Sequence, residues 1–272
     1  MAFFTMKLKS NALSSTTTVR LYLPCDLPAE VGNEVKGMIT LLHGHTNDGD
    51  DWVNFSAALR YAADNGLALL IPNGSNSFYN DMVYGQAYYT WLTEEMPDLL
   101  KKMVNLPWER EKNAICGLSM GGYGALMIAL NHPERYFACG SFSGAVDLQM
   151  MLNIGADNQM VQQAFIPILG NELHLPENRN ILSLAEQVSQ LPLKQQLKIL
   201  CTVGRQDHKP YYIYEQNQSL KQHVQNLPLD FHYMEWDGVH EWNFWDRSLV
   251  HAIDLFYNDG YAKKKLQDWA AN

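Results

Sequence analysis

The chain alternates short, unbroken apolar runs with longer stretches whose apolar residues recur every three or four positions. "KGMITLLHGH" is an apolar run that empties into Gly44, as a strand buried on both faces does. "DWVNFSAALRYAADNG" follows, with Trp52, Phe55, Leu59 and Ala62 at helical spacing and Gly66 as its stop, which predicts one helix. "LALLIPNG" returns to the strand pattern. Downstream, "YYTWLTEEMPDLLKKMV" reads as a helix kinked or bounded at Pro97, "KNAICGLS" as a strand, and "GGYGALMIALNHP" as a helix that Pro133 closes. "YFACGSFSGAV", "LKILCTVG" and "DFHYMEW" add three more strands. Strand, helix, strand in repetition predicts an α/β fold: a mostly parallel central sheet with helices on both faces.

Three stretches depart from this rhythm. Ahead of Pro24, two β-type runs flank a Ser/Thr/Asn cluster and predict a hairpin. From Asp147 to Leu193 the periodicity weakens, which predicts a small cap-like insertion above the sheet at about residues 147–193. The closing "HAIDLFYNDGYAKKKLQDWAAN" predicts one last helix and a basic, solvated tail. No repeat, low-complexity tract or linker interrupts the 272 residues, so a single domain is expected over 1–272.

Charge narrows the partners. A net charge of -9 argues against nucleic acid and anionic membrane surfaces, which select for Lys and Arg clusters. A small-molecule partner fits better. "MAFFTMKLKS" lacks the long apolar core of a secretory signal, and no stretch approaches the roughly 20 apolar residues of a membrane span, so a cytoplasmic location is expected. Four cysteines without paired spacing suggest core residues in a reducing compartment; Cys116 alone invites a reactive reading, three positions before Ser119.

The chemistry concentrates in "ICGLSMGGYGA". Gly117, Ser119 and Gly121 fill the G-x-S-x-G pattern at a strand-to-helix junction, where a sharp turn exposes a nucleophilic serine and excludes side chains from its flanks. The rival reading is a small-residue turn that packs a helix onto a strand. A serine hydroxyl needs a general base, and the base needs an orienting acid, in the chain order serine, acid, histidine. His240 follows the last predicted strand on a loop opened by Asp237 and Gly238 and is the expected base, in preference to His232 and His251. Asp207 leaves the end of a buried strand and is the expected acid, ahead of Asp147 and Asp237. The oxyanion donors are expected at the backbone N–H groups of Met120 and of His45, in the loop "LLHGHTN". His43 and His45 form a lone H-x-H, too little for a metal site, and "NDGDDW" reads as a helix start. No metal is expected.

The blocks "LLHGHTNDGDDW", "IPNGSNSFYNDMVYGQAYYTWLTEEMP", "GLSMGGYGA", "SFSGAV", "GRQD" and "HEWNFW" resemble the esterase D-like branch of the α/β-hydrolase family, tributyrin esterase type. The resemblance implies a cofactor-free serine carboxylesterase acting on short acyl esters. It implies Ser119, Asp207 and His240 as triad, and His45 with Met120 as oxyanion pair. Relatives act on acetylated sugars, feruloyl or cinnamoyl esters, or S-formylglutathione, and often assemble as dimers or tetramers. An acyltransferase would use the same intermediate, and a non-enzymatic scaffold on this fold would lack pieces that are present here. Departures from the family pattern fall mainly between Asp147 and Leu193. Trp52, Tyr79, Tyr88 and Trp242 are candidate linings of the substrate slot, with core packing as the alternative for each.

Overall fold

The computed structural model describes residues 1–26, 35–155, 159–192 and 195–270. Leu193, where the expected insertion ends, lies outside these. The chain opens with β1 (Ala2–Ser10) and β2 (Ser15–Leu23), which pair antiparallel as the predicted hairpin. Then come β3 (Gly37–Leu42), α1 (Gly49–Asn54), α2 (Ala58–Asn65), β4 (Leu67–Pro72), α3 (Tyr88–Thr90) and α4 (Met96–Met103). The elbow follows as β5 (Asn113–Leu118) and α5 (Met120–Asn131), then β6 (Ala138–Phe142). Three helices, α6 (Leu148–Ile154), α7 (Gln159–Leu169) and α8 (Ile181–Ser189), precede β7 (Lys198–Gly204). The chain closes with α9 (Ile213–Val224), β8 (Asp230–Trp236), α10 (Trp242–Phe256) and α11 (Tyr261–Ala270).

Among the described residues the sheet has eight strands in the order β1-β2-β4-β3-β5-β6-β7-β8. The hairpin joins β4 antiparallel and every later pairing is parallel. The apolar runs are unbroken because both faces are covered. In β3, Met38 and Leu42 face one helix layer, which includes α4, α5, α8 and α9, while Ile39 and Leu41 face the other, built from α1, α2, α10 and α11. This is the α/β-hydrolase fold, and parallel strands of such a sheet deliver their loops to one carboxyl-terminal edge.

Several elements differ from the sequence reading. The single helix expected over 52–66 is two, because Phe55, Ser56 and Ala57 leave the helical path: Asp246 Oδ1 accepts the Ala57 N–H at 2.8 Å, and Ser56 Oγ caps Ala58. Gly66 does stop α2, at φ 67. The Pro97 helix is continuous but passes through a π-helical turn at Trp91–Glu95. Proline has no N–H for the carbonyl four residues back, Thr93 O, and the Arg135 guanidinium donates to that oxygen instead. The final helix starts earlier than expected, at Trp242, and the basic tail is itself helical: Tyr261 Oη donates to Asp64 Oδ2 at 2.9 Å. Within the segment expected to form an insertion, α8 packs on α5 and α9 and belongs to the helix layer, α6 touches α9, and α6 and α7 bury Leu148, Leu152, Phe165 and Ile168 in the same core.

Gly66 sits where an L side chain costs roughly 1 kcal/mol. Gly66→Ala is expected to lower the urea-unfolding free energy by about that amount, with the far-ultraviolet spectrum unchanged; an unaltered midpoint would contradict the capping role.

Candidate active site

β5 ends at Leu118 and α5 begins at Met120, so the whole reversal falls on Ser119. Its backbone is left-handed, φ 53 and ψ -118, a conformation of order 1–3 kcal/mol above the ordinary wells. Hydrogen bonds hold it there. Ser119 N–H donates to Phe142 O at 2.9 Å, and Ser119 O accepts from Gly122 and Tyr123 of α5 and from Ala145 beyond β6. The turn also needs bare backbone on both flanks: a Cβ on Gly117 would lie 2.2 Å from Gly121 O, and one on Gly121 would lie 2.4 Å from Leu42 O.

Asp207 and His240 arrive on neighbouring loops. Gly204 ends β7 and Gly238 follows β8, and the two pass so closely that a Cβ on Gly204 would lie 2.3 Å from Gly238 O. Gln206 ties the loops twice, its N–H donating to Gly238 O at 3.2 Å and its Oε1 accepting the Gly238 N–H at 2.7 Å. Asp207 is 5% exposed. Its Oδ2 accepts the His240 Nδ1–H at 2.8 Å, and His240 Nε2 accepts the Ser119 Oγ–H at 2.9 Å. The structure therefore brings Ser119, His240 and Asp207 into one hydrogen-bonded line. The other candidates are occupied elsewhere. Asp147 caps α6 through the Met150 N–H and accepts from Ser219, and exposed Asp237 pairs with Arg205, whose hydrogen bond holds that carboxyl below its ordinary range. His232 bonds Asp230, and the His251 ring lies 5.3 Å from Trp236.

Gly44 lies directly over the elbow, where a Cβ would meet Leu118 Cδ1 at 2.7 Å and Ser119 Cβ at 3.5 Å. This brings the His45 backbone beside the serine. Among the described residues, neither the His45 nor the Met120 N–H donates to a protein acceptor. His43 is buried, with Nδ1–H donating to Gly44 O at 2.8 Å and Nε2 accepting the Gly74 N–H at 2.9 Å. Asp48 caps α1, accepting the Asp50 N–H at 2.7 Å, as the helix-start reading of "NDGDDW" expects. Cys116 is fully buried, and desolvation pushes its thiol far above the ordinary value, so it holds no thiolate for reaction.

A cavity of about 260 Å³ opens in front of Ser119 and His240. None of the four aromatics expected to line it does so. Trp52 is in the core, its Nε1–H donating to Leu42 O at 3.0 Å. Tyr79 is fully buried, with its hydroxyl on His43 O, and Tyr88 bonds Gln86. Trp242 packs edge-on between Trp52 and Trp245. The aromatic wall is instead Phe78, Phe165, Tyr211 and Trp245. Phe78 is one residue from the expected Tyr79, and Trp245 one helical turn from Trp242, so the loop and helix were legible but the facing side chain was not. Phe165 lies in α7, where no periodicity announced it. Apart from His45 and His240, no titratable acid or base lines the cavity, only Tyr211 bringing a phenol, among the described residues.

Fold, site and comparisons together make the chain a carboxylic ester hydrolase. It belongs to the esterase family whose model, described as putative esterase, matches residues 10–256. An acetyl esterase of Caldicellulosiruptor saccharolyticus is 26% identical, across 93% of this chain and 97% of its own. Among solved structures, the fluorophosphonate-binding serine hydrolase FphF of Staphylococcus aureus superposes with a TM-score of 0.80 at 24% identity, covering 95% of this chain and 99% of its own. The S-formylglutathione hydrolase FrmB of the same organism gives 0.78 at 25% identity, covering 94% and 99%.

Burial holds the His43 imidazole below its ordinary value of 6.5, because the imidazolium would lose its water. Above pH 6.5 both folded and unfolded states are neutral at this residue, so nothing is lost. Below it the unfolded chain takes a proton that the folded chain refuses, and stability falls by up to about 1.4 kcal/mol per pH unit until the folded value is reached. His45, His132 and His251 are shifted the same way by burial. The urea midpoint is therefore expected to be lower at pH 5.5 than at pH 7.5; a rise on acidification would contradict this.

Proposed function

We propose that the protein is a serine carboxylesterase for short, uncharged acyl esters, acetyl to butyryl, working through an acyl-enzyme on Ser119. The observation that carries this reading is the line Ser119 Oγ, His240, Asp207, with hydrogen bonds of 2.9 and 2.8 Å, opening on an apolar cavity. Ser119 Oγ attacks the ester carbonyl carbon while His240 Nε2 takes the hydroxyl proton and Asp207 holds the imidazole through Nδ1. The carbonyl oxygen becomes an oxyanion facing the free N–H groups of His45 and Met120. As the tetrahedral intermediate collapses, the bond to the alcohol oxygen breaks and His240 returns the proton to it. Water then repeats the sequence on the acyl-Ser119 ester, with His240 again as base, and releases the acid.

Two features support the substrate class. The cavity, about 260 Å³, is below the range of drug-sized ligand pockets, and among the described residues its walls carry neither a lysine or arginine to meet an anion nor a carboxylate to meet a cation. A small apolar cavity suits a short, uncharged acyl group. The acetyl esterase relative agrees with the smaller class.

Hydrolysis of p-nitrophenyl acetate, butyrate and octanoate tests the reading. Wild type is expected to turn over the first two, folded Ser119→Ala to lose about 10³- to 10⁶-fold in kcat, and Asp207→Asn about 10⁴-fold. A folded Ser119→Ala that keeps wild-type turnover would remove the serine from the mechanism. In the cavity wall, Ala164→Phe is expected to lower butyrate relative to acetate turnover by about tenfold; equal losses for both esters would show that the acyl chain lies elsewhere.

A further inference from the structure

The loop after β3 and the loop after β4 are fastened to each other at two points that bracket His45. On one side, Tyr79 Oη–H donates to His43 O at 2.8 Å, and His43 Nε2 accepts the Gly74 N–H at 2.9 Å. On the other, the Thr46 N–H donates to Asn76 Oδ1 at 2.7 Å. The peptide units immediately before and after the Gly44–His45 unit are thus each pinned, while the His45 N–H between them is left without a protein acceptor.

Both loops are costly to hold in this shape. Thr46 is left-handed at φ 66, and Ser75, Phe78 and Tyr79 are left-handed at φ 48, 48 and 58, where side chains beyond glycine are disfavoured and a β-branched one most of all. The β4 loop is braced internally, Ser77 Oγ donating to Gly74 O at 2.6 Å and accepting the Tyr79 N–H at 2.9 Å. Tyr79 is keyed in place against Gly74 and Gly124, where a Cβ on either would lie 2.3 Å from its ring. A strained loop spends stability, and here the strain is concentrated where a backbone N–H must be aimed.

We propose that Tyr79 and Asn76 are positioning residues for catalysis: the β4 loop braces the β3 loop so that the His45 N–H is already oriented toward the oxyanion before substrate arrives. This rests on the reading of His45 as an oxyanion donor. Neither residue touches substrate. Their effect falls on the tetrahedral state, where the oxygen carries charge, and leaves ground-state binding in the apolar cavity nearly untouched.

The test uses Tyr79→Phe, which removes only the hydroxyl, and Asn76→Ala, at an exposed position. Each variant is checked for its circular dichroism and melting temperature. Steady-state kinetics with p-nitrophenyl acetate are then paired with inhibition by an alkyl trifluoromethyl ketone, which forms a hemiketal oxyanion on the serine. In both folded variants kcat is expected to fall about 10- to 100-fold, with KM changed by less than about threefold and ketone affinity falling in parallel with kcat/KM. A merely structural role would lower the melting temperature and leave kcat and ketone affinity alone, and that result overturns the proposal. If Tyr79→Phe does not fold, Asn76→Ala decides alone by the same criteria. If wild type is active and Ser119→Ala is not, while both variants match wild type, the brace fails and the esterase reading stands. A wild type that neither hydrolyses the ester nor binds the ketone overturns both.

Discussion

The backbone of Ser119 is bent into a region that an L-residue enters only under compulsion, and much of the molecule supplies that compulsion. Its carbonyl receives three N–H groups, two from the helix it starts and one from the segment after β6, while its own N–H is taken by Phe142. Those partners are in register only because β5 and β6 are parallel neighbours in the sheet. The glycines at 117 and 121 let strand, turn and helix approach without a Cβ between them. Sheet order, crossover helix and elbow are therefore one constraint seen at three scales: alter the strand pairing and the serine relaxes into an ordinary well, with its hydroxyl facing nothing.

The remaining site follows from where parallel strands end. β3, β5, β7 and β8 each deliver one loop to the same edge, bearing His45, Ser119, Asp207 and His240 in turn. No long-range folding accident is needed to gather residues 45 to 240, because the sheet has already placed their strands side by side. The antiparallel hairpin β1–β2 lies at the far margin and contributes no group to the cavity.

What was legible in the sequence and what was not divide along a physical line. Gly117, Ser119 and Gly121 announce a turn because only that backbone needs those residues, and Asp207 and His240 could be chosen because each follows the end of a predicted strand into a loop. The facing of a side chain carries no such mark. Tyr79 and Phe78 are adjacent, both aromatic and both left-handed, yet one is locked beneath the loop after β3 and the other lines the cavity. The π-helical turn was illegible because its cause is split: Pro97 withholds an N–H, and Arg135, far along the chain, supplies the replacement donor. Likewise Asp246 ends a helix almost two hundred residues earlier, a tertiary capture that no local window contains.

The close passage of Gly204 and Gly238 joins the loops that bear Asp207 and His240 into one packed unit. Backbone lies on backbone there, and Gln206 reaches across from both its main chain and its side chain. Asp207 and His240 thus ride together, while Ser119 is anchored separately to β6 and α5. Of the two hydrogen bonds in the line, the one between His240 Nδ1 and Asp207 lies within that joined pair of loops, and the one between Ser119 Oγ and His240 Nε2 is the one that crosses from it to the elbow.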